Sequence, residues 1–170
     1  MPGASIEIEL EGSDRVRQAL LDAADRLEHP APMFDLIGAM LVTSTGVRFE
    51  REMDPEGNPW PKSIRAALEG GKTLTDSAHL RNSLTHEASD DGVAVGTDVI
   101  YAAVHQFGGT VRAKNGGALH FQLNGADIFV ASVDIPQRAC LGLDDDDEAA
   151  IEEIAADFGL EPAGGADARR

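Results

Sequence analysis

The strongest local pattern in the chain runs from Gly96 to Gly109 and has the sequence GTDVIYAAVHQFGG. Asp98 is a good N-cap residue and a glycine pair ends helices well, so the pattern predicts a short helix from Val99 to Phe107. Three of its apolar side chains are predicted to face the core: Tyr101, Val104 and Phe107. His105 and Gln106 then point elsewhere, toward a loop or a neighbouring molecule.

The residues that follow predict a long β-hairpin, called here the arm, at about Thr110 to Val133. Ala118 to Leu123 and Ile128 to Val133 are its predicted strands, and Asn124-Gly125 is a strong signal for the turn between them. The length, glycines and polarity of the arm suit a segment that becomes ordered on assembly.

Helical periodicity predicts three longer helices elsewhere in the chain. The first begins at Ser13, the second runs from about Met33 to Met53, and the third starts near Asp144 and is stopped by Gly159. A broad apolar stripe on the second helix predicts burial against more than one partner. Its charged end, Arg48 to Met53, is predicted to leave the core.

Shorter elements complete the predicted fold. Residues 6–10 alternate isoleucine or leucine with glutamate, which predicts a strand with one buried and one wet face. Thr85 to Ser89 and Val93 to Val95 predict a hairpin, and Lys62 to Glu69 predicts a short helix. We expect an α+β fold, in which three longer helices pack on a small, mostly antiparallel sheet from which the β-hairpin arm extends.

Composition sets limits on the function. Among the 170 residues, 14 Lys and Arg against 30 Asp and Glu give a formal net charge of −16. This acidity argues against a basic surface for gripping DNA or an anionic membrane, and 5% aromatic residues argue against a base-stacking platform. With neither a signal peptide nor a long apolar span, the chain is expected in the cytoplasm.

The length suits a single domain. We expect one α+β domain over residues 1–159, with the arm at about 110–133, and a flexible C-terminal tail over residues 160–170 that is rich in glycine, alanine and charge.

Patterns typical of catalysis and ligand binding are missing from the sequence. The five histidines show no zinc-protease or zinc-finger spacing, and no Gly-x-Ser-x-Gly motif occurs. Gly71-Lys72-Thr73 lacks the earlier glycine of a phosphate loop, because Ala66 stands there. Cys140 is predicted to be a small buried core residue, and the acidic run Asp144 to Glu148 a solvated face. The sequence predicts no enzyme, no cofactor and no metal site.

The densest turn signal is Asp54 to Pro61, which contains the only tryptophan, Trp60, between two prolines. The indole is predicted to pack down as the anchor of this loop. Contact with a partner is the alternative, since tryptophan is frequent in binding hot spots.

Five short blocks follow one another between about Phe49 and Leu143. They are Phe49-x-x-x-x-Asp54-Pro55-x-Gly57-x-x-Trp60, Leu80-x-x-Ser83-Leu84, Val95-Gly96-Thr97, Tyr101-Ala102-x-x-His105-Gln106-Phe107-Gly108-Gly109 and Ile135-Pro136-x-Arg138-x-x-Leu141-Gly142. In this order, they resemble the phage virion morphogenesis family, also called the tail-completion family, which includes Mu-like proteins. The fourth block is the most specific, and the resemblance covers over half of the chain.

Two positions depart from the family pattern. The family usually has a glycine two residues before the leucine matched by Leu80, where this chain has Ala78. The family arginine matched by Arg138 is commonly followed by Pro and Phe, where this chain has Ala139-Cys140. Either change can alter a loop or a contact surface.

The resemblance implies a structural role without catalysis in a tailed phage. Proteins of this kind sit at the end of the tail tube and allow it to join the filled head. By analogy we expect a homo-oligomeric ring, a hexamer, in the virion neck after assembly in the host cytoplasm. Its expected partners are the tail tube or terminator and the head-neck connector proteins, with DNA passing through the lumen without specific binding and no membrane involved.

Seven residues are candidate contacts with a subunit or partner: Trp60, His105, Gln106, Phe107, Arg112, Lys114 and Arg138. Arg138 would pair either with a neighbour's carboxylate or within its own subunit. One alternative function is a neck or head-completion protein on the portal side. Another, from a different class, is a small metal-dependent hydrolase that uses a histidine and acidic residues.

Overall fold

A computed structural model describes residues 13–160 of the chain. The helices in this part are α1 (Ser13–Glu28), α2 (Ala31–Arg51), α3 (Ile64–Glu69), α4 (His79–Asn82), α5 (Ala102–Phe107) and α6 (Asp145–Leu160). The strands are β1 (Thr85–Ser89), β2 (Gly92–Gly96), β3 (Gly109–Arg112), β4 (Leu119–Leu123), β5 (Ala126–Val130) and β6 (Ser132–Ile135). The α+β class is confirmed, while the strand predicted for residues 6–10 lies outside the described residues. None of the described helices combines the length and hydropathy of a membrane span.

The strands form three antiparallel pairs in the described part of the chain, rather than one continuous sheet. β1 pairs with β2 as a hairpin, β3 pairs with β6, and β4 pairs with β5. The last two pairs build the predicted hairpin in two tiers, a base and a tip. Four of the six described strands therefore belong to the arm, and only β1 and β2 lie outside it.

α2 is the central element, and it packs against β1, β2 and α6. Its close approach to β1 depends on Gly38, since a Cβ there would lie 2.4 Å from the His86 ring. His86 Nε2 in turn lies 2.9 Å from Asp35 Oδ1 on the same helix. The prediction that this helix is buried against more than one partner is confirmed.

The charged end of α2 does not leave the core, so that prediction is wrong. Phe49 is fully buried and Arg48 is 4% exposed. The Phe49 ring meets the Trp60 ring edge-on at 5.3 Å between centroids, within a core cluster that also contains Leu80, Leu84 and Cys140. The burial of Trp60 confirms that it anchors its loop, and the burial of Cys140 confirms that it is a core residue.

α5 is shorter than predicted and presents a different face. It begins at Ala102, and Asp98 does not cap it; instead Thr97 Oγ1 accepts the Val99 N–H at 3.1 Å and holds a turn before the helix. Tyr101 is 41% and Phe107 75% exposed, so their predicted burial is wrong. The helix is anchored through Gln106 instead, as described below.

The arm bends between its two tiers. Ala113 N–H donates to the Ala131 carbonyl at 2.9 Å, and Asn115 adopts φ 55° in a short helical turn that follows. The predicted turn at Asn124-Gly125 is confirmed, with φ values of 50° and 76°. Asn124 N–H donates to Glu69 Oε1 at 2.5 Å, so the arm tip lies against the end of α3.

Two helices differ from their predicted bounds at one end. α3 begins two residues later than predicted, because Ser63 Oγ accepts the Ala66 N–H at 3.1 Å as a helix cap. α6 starts where predicted but continues through Gly159 to Leu160, so glycine does not stop it within the described residues.

Ala78 stands in a backbone conformation that favours glycine, with φ 54° and ψ 11° just before α4. A non-glycine residue in this left-handed region is disfavoured by roughly 1–2 kcal/mol. The family preference for glycine at this position thus has a conformational cause.

Ala78→Gly is expected to raise the free energy of unfolding by about 1 kcal/mol, because relief of the left-handed strain exceeds glycine's entropic cost. Denaturant unfolding of the full chain measures this change. The matched control is Ala67→Gly inside α3, which is expected to destabilise by about 1 kcal/mol. Loss of stability in Ala78→Gly would contradict the account.

Candidate functional site

The segment Arg138–Gly142 is the structural centre of the candidate site. It lies outside regular helices and strands, yet Arg138 and Cys140 are buried. Buried backbone groups must find hydrogen-bond partners. Here three side chains from separate parts of the chain provide them, and we call this arrangement the clasp.

Trp60 supplies the first contact of the clasp. Its indole Nε1–H donates to the Ala139 carbonyl at 2.9 Å. Because the ring also packs on Phe49, the loop between α2 and α3 is fixed to the segment by one apolar and one polar contact. This pairing of an apolar body with one polar atom is what buried tryptophan provides.

Gln106 supplies the second and densest contact. Its Oε1 accepts the N–H groups of Cys140 at 2.9 Å and Leu141 at 3.0 Å, while its Nε2 donates to the Leu141 carbonyl at 2.8 Å. An amide offers donors and acceptors together, so one side chain serves the backbone as a neighbouring strand would. Gln106 therefore links α5 to the segment.

Arg48 supplies the third contact and carries charge into the interior. Its Nη1 donates to the Gly142 carbonyl at 2.7 Å and to the Cys140 carbonyl at 3.1 Å. Its Nη2 pairs with Asp144 at 3.0 Å and closely with Asp147, at the start of α6. A buried guanidinium needs such partners, since an unpaired buried charge is strongly destabilising.

The two aspartates also cap α6 reciprocally. Asp144 Oδ1 accepts the Asp147 N–H at 2.8 Å, and Asp147 Oδ2 accepts the Asp144 N–H at 3.2 Å. Burial opposes ionisation of Asp144, but the Asp147 N–H and the Arg48 guanidinium hold its pKa below the ordinary value. Asp147 is 2% exposed, so the acidic run is not entirely a solvated face and that prediction is wrong in part.

Arg138, the first residue of the segment, connects it to His105 on α5 and to the loop before α3. Arg138 N–H donates to the His105 carbonyl at 2.7 Å, and Arg138 Nε donates to the Pro61 carbonyl at 2.7 Å. Within residues 13–160 no carboxylate pairs with Arg138, so the expected ion pair inside the subunit is not found there. The pairing with a neighbour stays a prediction.

Burial shapes the protonation of three groups around the clasp. Burial, and then the Arg138 charge, lower the pKa of His105, whose Nδ1 has no partner among the described residues. Burial also lowers the pKa of Arg138 and raises that of the Cys140 thiol. His105 is consequently a neutral imidazole at pH 7, and Cys140 a neutral thiol.

The seven candidate contact residues separate into two groups. Trp60, Gln106 and Arg138 use their polar atoms inside the clasp, with His105 half-buried beside them. Phe107, Arg112 and Lys114 are exposed at α5 and on the arm. Whether any of the seven touches a subunit or partner remains a prediction.

An exposed apolar surface lies around α5. Ile100 is 95%, Phe107 75% and Tyr101 41% exposed, and we call these three residues the apolar patch. One residue, Gly108, separates Phe107 from β3, so this end of the patch adjoins the base of the arm. Large exposed apolar side chains are candidates for contact with another protein when they lie on one surface.

Sequence reasoning missed Arg48 and Asp147, the charged pair of the clasp. Arg48 stands four residues after Ser44, on the same helical stripe as Ile37 and Leu41, which places it at a core-facing position. The spacing of Asp144 and Asp147 matches a capping box, with aspartate in place of the usual glutamate. These two signals were present in the sequence.

A metal centre is not indicated in the part of the chain that the structure describes. No group of three or more His, Cys, Asp or Glu side chains is arranged there to hold a metal ion. The polar groups of Trp60 and Gln106 in the clasp contact backbone atoms, and Arg48 contacts both backbone carbonyls and two aspartates. The site is thus a set of buried contacts, the clasp, next to an exposed patch and an arm.

Comparisons with known proteins give the family. The chain belongs to the phage virion morphogenesis family, whose model matches residues 12–158. It is 31% identical over 153 residues to Mu-like prophage FluMu G protein 2 of Haemophilus influenzae, covering 90% of this chain and 95% of that protein. It is 28% identical over 136 residues to the putative capsid assembly protein G of Escherichia phage Mu, covering 75% and 78%. No solved structure matches the chain.

Gln106→Ala is expected to lower the free energy of unfolding by about 2–4 kcal/mol, because it leaves two backbone N–H groups of the clasp without partners. Denaturant unfolding provides the measurement. Gln137→Ala, at an exposed glutamine, serves as the control and is expected to stay within about 0.5 kcal/mol of wild type. Equal effects of the two changes would contradict the clasp.

His105 is expected to make stability depend on pH below about 6.5, the ordinary pKa of an unfolded histidine. Because the folded pKa is lowered, the stabilisation is complete above pH 6.5 and is lost as the pH falls toward the folded pKa. Unfolding free energies between pH 5 and 7 should fall less steeply in His105→Gln than in wild type. His79→Gln, at an exposed imidazole, controls for the substitution, and an unchanged slope in His105→Gln would refute the assignment.

Proposed function

We propose that this chain is a structural, non-catalytic virion protein that completes the tail of a tailed phage and joins it to the head. The observation that carries the proposal is membership of the phage virion morphogenesis family across residues 12–158. In the proposal the protein acts as a homo-oligomeric ring, a hexamer by analogy, at the neck. Its partners there are the tail tube or terminator and the connector proteins.

The arm is the proposed contact segment of each subunit. Arg112 and Lys114 are exposed on it, in a chain whose formal net charge is −16. Basic groups on an acidic protein are well placed to meet the carboxylates of another copy. The hairpin suits this role because the hydrogen bond that holds its tip to α3, from Asn124 N–H to the exposed Glu69 carboxylate, can be exchanged for a contact with another subunit.

The apolar patch is the second proposed contact. Its apolar side chains would be buried when subunits or a neck partner associate, which is favourable at about 25 cal/mol per Å². Because the patch adjoins the arm base, a single neighbour can cover both surfaces. The clasp beneath them supplies the rigidity that a repeated contact needs.

Acidity suits the proposed path of DNA through the ring. A lumen lined by carboxylates repels phosphates and keeps the genome from adhering to the wall. Three exposed acids at the start of α6, Asp145, Asp146 and Glu148, are candidates for such a lining. A basic lumen in the assembled ring would contradict this part of the proposal.

A portal-side role in head completion is the second candidate, and the name of one relative favours it. The Mu protein that is 28% identical is called a putative capsid assembly protein. Labelled protein in lysates that contain unjoined heads and tails separates the two roles. Label on free tails supports tail completion, and label on free heads supports the alternative.

Shortening the arm is expected to block joining while leaving the fold intact. Residues 114–130 are replaced by Asn-Gly, because Ala113 and Ala131 already pair across the hairpin at 2.9 Å. Joined particles, counted by electron microscopy of phage carrying the variant, should fall at least tenfold. Unchanged circular dichroism and thermal unfolding of the body verify folding, and normal numbers of joined particles would refute the arm's role.

A charge reversal on the arm gives a finer version of the same test. Arg112→Glu with Lys114→Glu should reduce joining, whereas Arg17→Glu with Lys62→Glu changes the net charge equally at exposed sites outside the arm. The control pair is expected to join normally, because bulk charge alone does not position a contact.

Phe107→Ser is expected to weaken association at least tenfold, since it removes the more exposed of the two aromatic rings of the apolar patch. Its effect on unfolding should stay within about 0.5 kcal/mol, because the ring is 75% exposed. Analytical ultracentrifugation and particle counts measure the outcome. Leu68→Ser, at a leucine 60% exposed on α3, is the matched control.

A further inference from the structure

An apolar groove of about 450 Å³ runs between β2 and α6 with α2 as its floor. Phe34, Ile37 and Leu41 of α2 form the floor, and Val93 and Val95 line the β2 side. Ile151 of α6 and residues 141–143, which precede α6, line the opposite side. No residue of β1 lines it, so the groove lies on the β2 side of the β1–β2 hairpin. It has the shape of a slot beside a strand.

β2 offers a free edge to this slot. Within residues 13–160 it pairs with β1 alone, leaving the backbone groups on its other edge without a strand partner. An open edge beside an apolar floor accepts a further strand, with main-chain hydrogen bonds for affinity and alternate side chains in the groove for specificity.

We propose that residues 5–11 of the same chain occupy the groove as a third strand on the free edge of β2. Ile6, Ile8 and Leu10 enter the groove, and Glu7 and Glu9 face solvent. The alternation of these side chains matches a slot that is apolar on one side and open on the other. The proposal is independent of the role in tail completion.

The chain has the reach to make this contact with itself. α1 packs against α6, which lines one side of the groove. The start of α2, three residues after the end of α1, meets the β1–β2 turn, where Ala31 N–H donates to Asp90 Oδ1 at 3.1 Å. The 16 residues of α1 span about 24 Å. Residues 5–11 span about 23 Å as a strand, which is enough to run back along α1 to the groove.

Hydrogen exchange of the full chain tests the proposal directly. Amides of residues 6–10 should exchange at least a hundredfold more slowly than unprotected peptide, together with those of β2. Ile8→Glu should return both segments to at least tenfold faster exchange, while Glu9→Lys, the matched control on the solvent side, should preserve protection. Unprotected exchange of residues 6–10 in the wild-type chain would overturn the proposal.

Cysteine cross-linking identifies the chain that fills the groove. Ile8→Cys is combined in turn with Val93→Cys and Val95→Cys, and Cys140 stays out of the exchange because it is buried. A disulfide within one chain, seen as monomer on a non-reducing gel, supports the proposal. A disulfide between chains would overturn it in favour of strand exchange with a second copy, and no disulfide in either pair would also overturn it.

Discussion

The fold depends on the need to satisfy the buried backbone of Arg138–Gly142. This segment has no strand beside it, so its carbonyl and N–H groups are met by Trp60, Gln106 and Arg48. Each of the three comes from a different region of the chain. Loss of any one would leave polar groups unpaired in the interior, which costs more than the hydrogen bond itself contributes. The clasp thereby ties α2, the Trp60 loop, α5 and α6 into one body.

The clasp also explains why apolar side chains of α5 are exposed and available for contact with another molecule. Gln106 anchors α5 from the inside, so the helix is held without burying Phe107 or Tyr101. The apolar patch and the base of the arm are therefore next to a helix that the clasp fixes through Gln106. A structural protein that must present the same surface in every copy benefits from this arrangement, since little conformational entropy is lost on assembly.

The sequence predicted what local patterns encode. Helix α1, the hairpins and the Asn124-Gly125 turn follow from capping, periodicity and turn chemistry, and Trp60 was predicted to be the loop anchor. Local patterns in the sequence did not predict which charged side chains pair with one another in the interior. Arg48 and Asp147 looked like surface residues because their pairing spans 99 positions. The exposure of Phe107 was also missed, since periodicity cannot distinguish a buried apolar face from an exposed one.

In the proposed function, the clasp holds a body whose arm and apolar patch join neighbouring subunits in the phage neck. A cryo-electron microscopy reconstruction of the neck in the intact phage tests it most directly. The account predicts a ring of this fold at the tail end, with the arm and Phe107 of each copy against the next copy or a neck partner. A neck without this fold, or a ring whose arms and patches all face solvent, would contradict it.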